Sequence, residues 1–581
     1  MEDAATASRR RGRRRAVVAA FVLVGLWLLA AAATTVRAGL ELRHGRASAR
    51  GARHQDVVAV AEGRALGQLT AARRQFQHAH TELSSPVLAP VGVLPYFGRQ
   101  LNSVRTLASA AADVAGVGVD SVGEARRTLA LPHGTGPQRI AQLRSLAALA
   151  ADTEKRLAPV KFGPSHSLVG PVAHGHDEIV NDVIDVRAGL KRAAAGATAA
   201  ADLLGGPRNY LVFAANNAEM RAGSGMFLSV GSLVTGGGDL HMAGTSAVTD
   251  VPVPPGVPIT DADYNARWGW LNPQTEWRNL MLSPRLDASG TLASAMWSAA
   301  GRAPVDGVVV LDPVALRAIL QATGPVTANG RSVDADNVIP ELLHDQYVRF
   351  NDPDPRQRHE ELSVIATEAV DALQSGAWSP SRLASGLADA GRGRHVLAWS
   401  TRPEEEAAWT AAGIGGSLRP DSLAVSVLNR GANKLDQYLH VKTNLRFERS
   451  GGHTTGVLRV TVSNTSPSGD PQYIAGPNPG VGGLKEGEYL GIVAVNLPGP
   501  ASNGRIDGVN QLVVAGADGP TRVVGTFVQL ARGEQKTVVV RFELPVAHGA
   551  LHVEPADRVP AMEWSAEDQH WTDSGARMVS F

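Results

Sequence analysis

Residues 209–234 read NYLVFAANNAEMRAGSGMFLSVGSLV, and this stretch decides the fold of the middle of the chain. It holds two apolar runs, Tyr210–Phe213 and Met226–Val234, separated by a polar, glycine-rich segment. Short apolar runs bounded by turn residues predict buried strands. Strand-like runs also start at residue 240 and cover residues 308–311, among helical patterns at residues 292–300, 313–321 and 358–373. This alternation predicts an α/β domain over residues 206–430.

Downstream of this domain the sequence is rich in strand patterns. Residues 457–462 alternate between apolar and polar side chains, and residues 489–495 are strand-like. Residues 523–530 are expected to pair with residues 537–544 through a hairpin turn at Arg532–Gln535. Regularly spaced turns between such runs predict a β-sandwich over residues 431–581.

Upstream, residues 37–205 show apolar side chains at helical spacing, which predicts a helical stalk or bundle. A loop at residues 84–98 interrupts it and is unusually apolar, with Val93, Leu94, Tyr96 and Phe97 near its end. One interpretation is a helix connection packed against a neighbouring helix. The other is contact with a membrane surface or a lipid.

The N-terminus predicts a membrane anchor. Six arginines lie within residues 1–15, and residues 16–36 carry no charge. Twenty-one residues of helix are long enough to cross the hydrocarbon core of a bilayer. The basic tail is expected to stay in the cytoplasm, which places residues 37–581 outside a plasma membrane. The alternative is a cleaved signal peptide, for which Ala31-Ala32-Ala33 offers small residues.

Composition excludes several classes of protein. The chain has 581 residues, enough for about three to five structural units. Its formal net charge is only +1, so nothing in the charge balance favours nucleic acid as a partner. The absence of cysteine excludes disulfide scaffolds, thiol catalysis and zinc–thiolate sites.

Familiar catalytic motifs are also missing. The sequence contains no G-x-S-x-G, S-x-x-K, H-E-x-x-H or phosphate-binding G-x-x-x-x-G-K-[ST] motif. His174, His176, Asp177 and Glu178 could bind a metal ion, but acidic residues of this kind also suit the start of a solvated helix.

An arginine and aspartate constellation remains in the predicted α/β domain. Arg221 follows the first predicted strand, and Arg349 is followed closely by Asp352, Asp354, Arg356 and Arg358. The planar guanidinium group suits phosphate, and neighbouring carboxylates could hold Mg²⁺. The alternative is a set of surface salt bridges in an arginine-rich protein.

Several of these segments resemble the domain-of-unknown-function family 4012, in particular its actinobacterial members. The resemblance is carried by residues 209–213, 216–221, 225–227, 312–326, 342–349 and 433–438. The basic tail, the single span and the loop at residues 84–98 also resemble those members. The resemblance implies an architecture and a location rather than a reaction.

The middle domain is also similar in layout to LytR-CpsA-Psr proteins, membrane-anchored enzymes that move glycopolymers from a polyprenyl pyrophosphate carrier to the cell wall. This resemblance implies that Arg221, Arg349 and Arg358, with Arg356 in the same cluster, bind substrate phosphate. Aspartates hold Mg²⁺ in that family, so the resemblance also implies that Mg²⁺ takes part. If the chain is a transferase, we expect Asp250 or Asp352 to activate the acceptor hydroxyl. The sequence departs from that family after Arg221, where Ala222-Gly223-Ser224-Gly225 replaces an Arg-Ser-Asp pattern.

Two functions follow from these observations. The first is a membrane-anchored protein of cell-envelope biogenesis that binds a polyprenyl-linked glycopolymer and transfers it to the wall. The second is a non-catalytic assembly or binding factor at the cell surface. A sensor is disfavoured because a fifteen-residue internal tail is too short for an output domain.

Overall fold

A computed structural model describes residues 2–53, 63–131, 135–163, 165, 168–350, 356–375, 378–450, 452–478 and 482–581. For residues 2–25, 53, 64, 356–360, 375 and 380 it describes the backbone alone.

The longer helices are spread from the N-terminus to residue 412. They are α1 (Glu2–Arg53), α2 (Arg64–Leu83), α3 (Pro95–Leu129), α4 (Gly136–Leu157), α5 (Gly170–Gly205), α6 (Ala262–Trp268), α7 (Leu286–Ala299), α8 (Pro313–Thr323), α9 (Arg356–Ser375), α10 (Pro380–Arg392) and α11 (Pro403–Ala412).

Within the described residues the strands begin after residue 206. They are β1 (Pro207–Met220), β2 (Gly225–Gly236), β3 (Asp239–Ala247), β4 (Gly307–Leu311), β5 (Val326–Ala328), β6 (Arg331–Val333), β7 (Val396–Ser400), β8 (Ser422–Asn429), β9 (Leu439–Ser450), β10 (His453–Asn464), β11 (Tyr489–Pro498), β12 (Ser502–Ile506), β13 (Val514–Asp518), β14 (Thr521–Leu530), β15 (Gln535–Leu544), β16 (Ala550–Glu554), β17 (Glu563–Ala566), β18 (Gln569–Thr572) and β19 (Arg577–Ser580). The expected multi-domain organisation, helical in its N-terminal region and rich in sheet toward the C-terminus, is confirmed.

The chain divides into two compact units. The first comprises Met1–Leu131 and Ser145–Ala194. Its helices α1, α2 and α3 meet through small side chains, and the buried clusters contain Ala38, Ala79 and Ala108 around Leu83. Alanine at these positions lets the helix backbones approach closely, which explains how an alanine-rich sequence builds a core.

No helix within the described part of the chain is long and apolar enough to cross a membrane. The predicted basic tail at residues 1–15 and the first ten residues of the predicted span at 16–36 lie outside the described side chains.

The second unit comprises Pro132–Arg144 and Ala195–Phe581. Its first sheet has the strand order β3-β2-β1-β4-β7. Strand β1 is antiparallel to β2 and parallel to β4, so the sheet is mixed. The stretch at residues 209–234 supplies the two central strands, and the stacked rings of Phe213 and Phe227 lie in the core beneath them.

Two further sheets form a sandwich. One has the order β12-β15-β10-β9-β17-β18 and the other β13-β14-β11-β8-β16-β19. Their facing side chains fill one apolar core. The second of these sheets is buried on its other face as well, because Leu428, Ile492 and Val523 belong to the core under the first sheet. The α/β part and the sandwich are therefore joined in one unit.

The expected hairpin between residues 523–530 and 537–544 is wrong. Strand β14 pairs with β11 and β13, whereas β15 pairs with β10 and β12 in the opposite sheet. Both strands point alternate apolar side chains into the same core, as Val528 and Val540 show. The turn between them crosses from one sheet to the other, a difference that apolar alternation alone does not reveal.

Strand β8 lies on the near side of the boundary expected at residue 430. All eight of its residues are buried, and it is a central strand of the sandwich, paired with β11 and β16. The chain therefore enters the sandwich at residue 422.

Candidate functional site

The carboxyl end of β1 carries buried polar side chains toward the sandwich. The last six residues of the strand are buried, among them Asn216, Asn217 and Glu219. Strand β2 crosses close by at Gly225, where a Cβ atom would lie 2.3 Å from the carbonyl carbon of Asn216. Only glycine permits this approach, which fixes the polar end of β1 beside the start of β2.

We call the region where the end of β1 meets the sandwich the junction. Lys434 and Glu219 form an ion pair inside it. The Lys434 ammonium group also lies 4.4 Å from the ring centre of Tyr347 and 5.0 Å from that of Tyr473. Burial works to lower the pKa of Lys434, but the Glu219 carboxylate and the two tyrosines raise it above its ordinary value. The lysine is therefore charged, and its partners are all supplied by the protein.

Asp436 is the second centre of the junction. Its carboxylate accepts hydrogen bonds from the Met220 amide at 3.1 Å, Asn429 Nδ2 at 2.8 Å and Arg558 Nη1 at 3.0 Å. Burial raises the pKa of Asp436. The hydrogen bonds connect β1, β8 and the C-terminal segment, so this network holds the two parts of the unit together.

Asp312 and His395 form a separate pair. Asp312 precedes α8, and its Oδ1 atom accepts hydrogen bonds from the amides of Val314 and Ala315. Its Oδ2 atom lies 2.6 Å from His395 Nδ1 and accepts a hydrogen bond from Asn217 Nδ2 at 2.9 Å. A carboxylate held by four partners fixes the orientation of the imidazole ring.

His395 lies at a surface cleft of about 400 Å³ between α8 and α10. The polar side chains lining this cleft are those of Arg317, Gln321, Asp389, Arg392, His395 and Ser574. Arg392 pairs with Asp389. Arg317 makes no ion pair with any residue that the structure describes, so its charge is available to a ligand.

The charge of the cleft follows from these neighbours. Burial works to lower the pKa of His395, but the charge of Asp312 and its hydrogen bond raise it above the ordinary value. Behind the pair lies Asp557, whose two carboxylate oxygens are buried without a hydrogen-bond partner in the described chain. Burial raises the pKa of Asp557 well above its usual range. Among the described residues that line the cleft, Arg317 is therefore the cation without an ion-pair partner, and it lies at the same cleft as the His395–Asp312 pair.

Arg221, a predicted phosphate ligand, is buried among protein acceptors. Its Nε donates to the carbonyl of Arg278 at 2.8 Å, and its Nη1 donates to the carbonyls of Met220 and Asn429. Burial lowers the pKa of Arg221 to about 10. Through these bonds Arg221 connects the end of β1 to the end of β8.

Arg349, another predicted phosphate ligand, is held by two buried glutamates. Its guanidinium group pairs with Glu341 and lies 2.7 Å from a carboxylate oxygen of Glu361. The side chains of both glutamates are at most 6% exposed. Burial works to lower the pKa of Arg349, but the two carboxylates raise it. Among the described residues Glu361 has this arginine as its cation, and Glu341 is compensated by Arg349 together with Arg331 at 3.3 Å.

Among the other predicted site residues, Asp250 is the one whose side chain the structure describes, and it makes no hydrogen bond or ion pair with Arg221 or Arg349. Asp250 is exposed at the end of a 3₁₀ turn, where the Thr249 hydroxyl lies 3.5 Å from its carboxylate. Asp352 lies outside the described residues. Arg356 and Arg358 open α9, but their side chains are not part of the description.

A metal site is not assembled in the described part of the chain, where no three acidic or histidine side chains come together to hold an ion. His176 hydrogen-bonds to Asp177 and to the carbonyl of Gly163, both at 3.0 Å. The Mg²⁺ expected at the phosphate site stays a prediction.

Sequence reasoning missed the cleft and the ion pair at the junction. His395 belongs to no motif, and its partner lies 83 residues earlier in the chain. A signal for Lys434 did exist, because lysine accounts for only seven of the 56 basic residues. A signal for Asp312 was its place before Pro313, which marks a helix start.

Comparison with known proteins gives one match. No curated protein and no solved structure matches the chain. A family model covers about a quarter of it, including β1, β2 and the helical segment that carries Tyr347. Residues 205–347 match the family described as "Protein of unknown function (DUF4012)".

Proposed function

We propose that this chain is a membrane-anchored, extracytoplasmic protein of the cell envelope that binds a phosphate-bearing envelope ligand without transferring it. The ligand site is the cleft lined by Arg317 and His395. The phosphate group belongs to a carrier lipid or to an acidic wall polymer.

The anchor is supported by the sequence of the first helix. Helix α1 runs without a break from Glu2 to Arg53. One helix therefore carries the basic tail, the uncharged residues 16–36 and the segment that follows them. This is the arrangement of a single-pass anchor with a cytoplasmic N-terminus.

The observation that carries the binding site is the Arg317 guanidinium group at the same cleft as a histidine oriented by a buried carboxylate. Guanidinium binds phosphate oxygens through two parallel hydrogen bonds, and imidazolium adds a further donor. A concave site with a few convergent polar groups suits a ligand of this kind.

Binding without transfer is supported by what the predicted phosphate ligands do. Arg221 donates to protein carbonyls, and Arg349 compensates two buried glutamates. Among the described residues the His395 imidazole hydrogen-bonds only to Asp312, and the Ser574 hydroxyl of the same cleft donates instead to the carbonyl of Thr572.

The test uses the full-length chain in detergent micelles with a radiolabelled glycan on polyprenyl pyrophosphate, a wall-fragment acceptor and Mg²⁺. We expect the chain to retain the labelled glycan while the carrier linkage stays intact. Catalytic release of free carrier phosphate would refute the proposal and support the transferase instead.

A further inference from the structure

The connection between α2 and α3, taken with the first turn of α3 as residues 84–98, is apolar and carries several exposed large side chains. Between Glu82 and Arg99 there are sixteen residues without a charge. Near its end Val93 is 82% exposed and Phe97 is 59% exposed, and Leu94 and Tyr96 are about half exposed. A contiguous patch of this kind needs an apolar environment to cover it.

Contacts with α1 show where along that helix the connection lies. Trp27 Nε1 donates a hydrogen bond to the carbonyl oxygen of Val87 across 2.8 Å. Trp27 lies nine residues before Val36, the outer end of the predicted span, which is about 13 Å along a helix. The connection thus runs back along α1 to the depth of the uncharged segment.

The base of the connection is fixed to the same helix just outside that segment. Leu83 at the end of α2 is buried against Ala38 of α1. Arg105 of α3 donates to the carbonyl oxygen of Leu83 at 2.7 Å and so satisfies the end of α2. Helix α2 is therefore attached to α1 at this level, and α3 is attached to α2.

The backbone of the connection is suited to an apolar surrounding. Pro86, Pro90 and Pro95 have no amide hydrogen to satisfy. The amides of Leu94 and Gly98 donate to carbonyls within the connection itself, those of Val91 and Leu94. Local pairing of these two amides and the absence of amide hydrogens at the three prolines lower the cost of taking this backbone out of water.

We propose that the tip of this connection, Val93–Phe97, inserts into the outer leaflet of the membrane beside α1. The inference rests on the membrane anchor in the proposed function. The partner is the lipid itself: acyl chains contact Val93 and Leu94, and the interfacial region accommodates the rings of Tyr96 and Phe97.

The chain has no cysteine, so single cysteines report on single positions. Val93→Cys and Phe97→Cys place a thiol at the tip. Leu131→Cys is the matched control, because Leu131 is 56% exposed and lies just beyond the far end of α3, about 50 Å along the helix from Pro95. The full-length variants are labelled with a fluorescent maleimide and reconstituted into phosphatidylglycerol and phosphatidylethanolamine vesicles.

We expect nitroxide-bearing lipids to quench the labels at positions 93 and 97 several-fold more strongly than the label at position 131. Aqueous iodide should show the reverse order. Equal quenching of all three labels by iodide, with the chain still resistant to carbonate extraction, would overturn the insertion while leaving the anchor intact. Extraction of the chain by carbonate would instead refute the anchor and the insertion together. Only this chain and lipid are present, so a protein partner cannot account for the protection.

Discussion

Lys434 and Glu219 form an ion pair that is buried where the first sheet meets the sandwich. The side chain of Lys434 is 1% exposed and that of Glu219 is 9% exposed. Glu219 lies at the end of β1, and Lys434 lies between β8 and β9. A buried charge is tolerated only when it is paired, so each residue makes the other necessary. The pair therefore makes the fold of the α/β part depend on the sandwich.

Lys434→Ala should strongly destabilise the second unit. Removing one partner leaves the Glu219 carboxylate buried and uncompensated, which costs about 3–5 kcal/mol of unfolding free energy. Nine of the ten tryptophans lie in this unit, so urea unfolding followed by tryptophan fluorescence measures the loss.

The matched control is Lys442→Ala. Lys442 pairs with Glu563 at 3.1 Å, but both side chains are more than half exposed. Its loss should change the free energy of unfolding by no more than about 1 kcal/mol. If the two substitutions had equal effects, the junction would not depend on the buried pair.

Arg349→Ala distinguishes a structural arginine from a phosphate ligand. The substitution leaves Glu341 and Glu361 without their shared cation, and we expect a loss of about 3 kcal/mol in unfolding free energy. Arg331→Ala is the control. Arg331 also pairs with Glu341, at 3.3 Å, but its side chain is half exposed. A stable Arg349→Ala protein that has lost phosphate binding would restore the predicted phosphate role.

Asp573 should make the stability depend on pH. Burial raises its pKa from 3.8 to about 7. Between these values the unfolded chain releases the proton while the folded chain keeps it, so rising pH favours unfolding by up to about 1.4 kcal/mol per unit. The stabilising contribution is complete below about pH 4 and is lost as the pH rises through about 7.

Asp573→Asn tests this dependence. The amide keeps an oxygen that can accept from the Ala556 amide, as Asp573 does at 2.9 Å, but it does not titrate. The melting temperature of the variant should therefore fall less than that of the wild type between about pH 5 and about pH 8. Glu406, whose pKa burial also raises to about 7, is present in both proteins and does not affect the difference. An equal fall in melting temperature for the two proteins would show that Asp573 does not cause the pH dependence.

Anion binding at the cleft should depend on the protonation of His395. The groups that face its imidazole are Asp312, which raises its pKa, Arg317, which lowers it, and the buried Asp557. Binding should be complete at low pH and weaken as the pH rises through the raised pKa of His395. Pyrophosphate titrations at a series of pH values measure the midpoint.

Asp312→Asn should move that midpoint to lower pH, because the charge that favours the imidazolium is removed. The variant retains an oxygen that can accept from the amides at the start of α8. A midpoint that does not move would show that a group other than His395 controls binding.

The sequence predicted the positions of strands better than it predicted which strands pair with each other. Apolar runs located β1, β2 and β4, because burial of a strand requires a continuous or alternating apolar pattern. The same pattern did not separate β14 and β15 into opposite sheets, since both strands bury alternate side chains in one core.

In the candidate site, too, the residue types were visible in the sequence but their contacts were not. The clustering of arginines and acids around residue 349 was visible, but whether an arginine serves a ligand depends on which carboxylates fold against it. Glu341, eight residues earlier, belongs to the same run of helical turns as Arg349, whereas Glu361, on α9, comes to Arg349 only through tertiary structure. His395 and Arg317 required the packing of α8 against α10, for which no local motif exists.

The binding of inorganic pyrophosphate to the full-length chain tests the central claim most directly. Calorimetry would compare the wild type, Arg317→Ala and Arg459→Ala, an exposed arginine on β10 of the sandwich. Loss of a charged hydrogen-bond donor costs about 1.5–3 kcal/mol, so Arg317→Ala should weaken binding by roughly ten- to a hundredfold. Arg459→Ala should leave the affinity unchanged. A wild-type chain that does not bind pyrophosphate, or an Arg317→Ala variant that binds it equally well, would contradict the account.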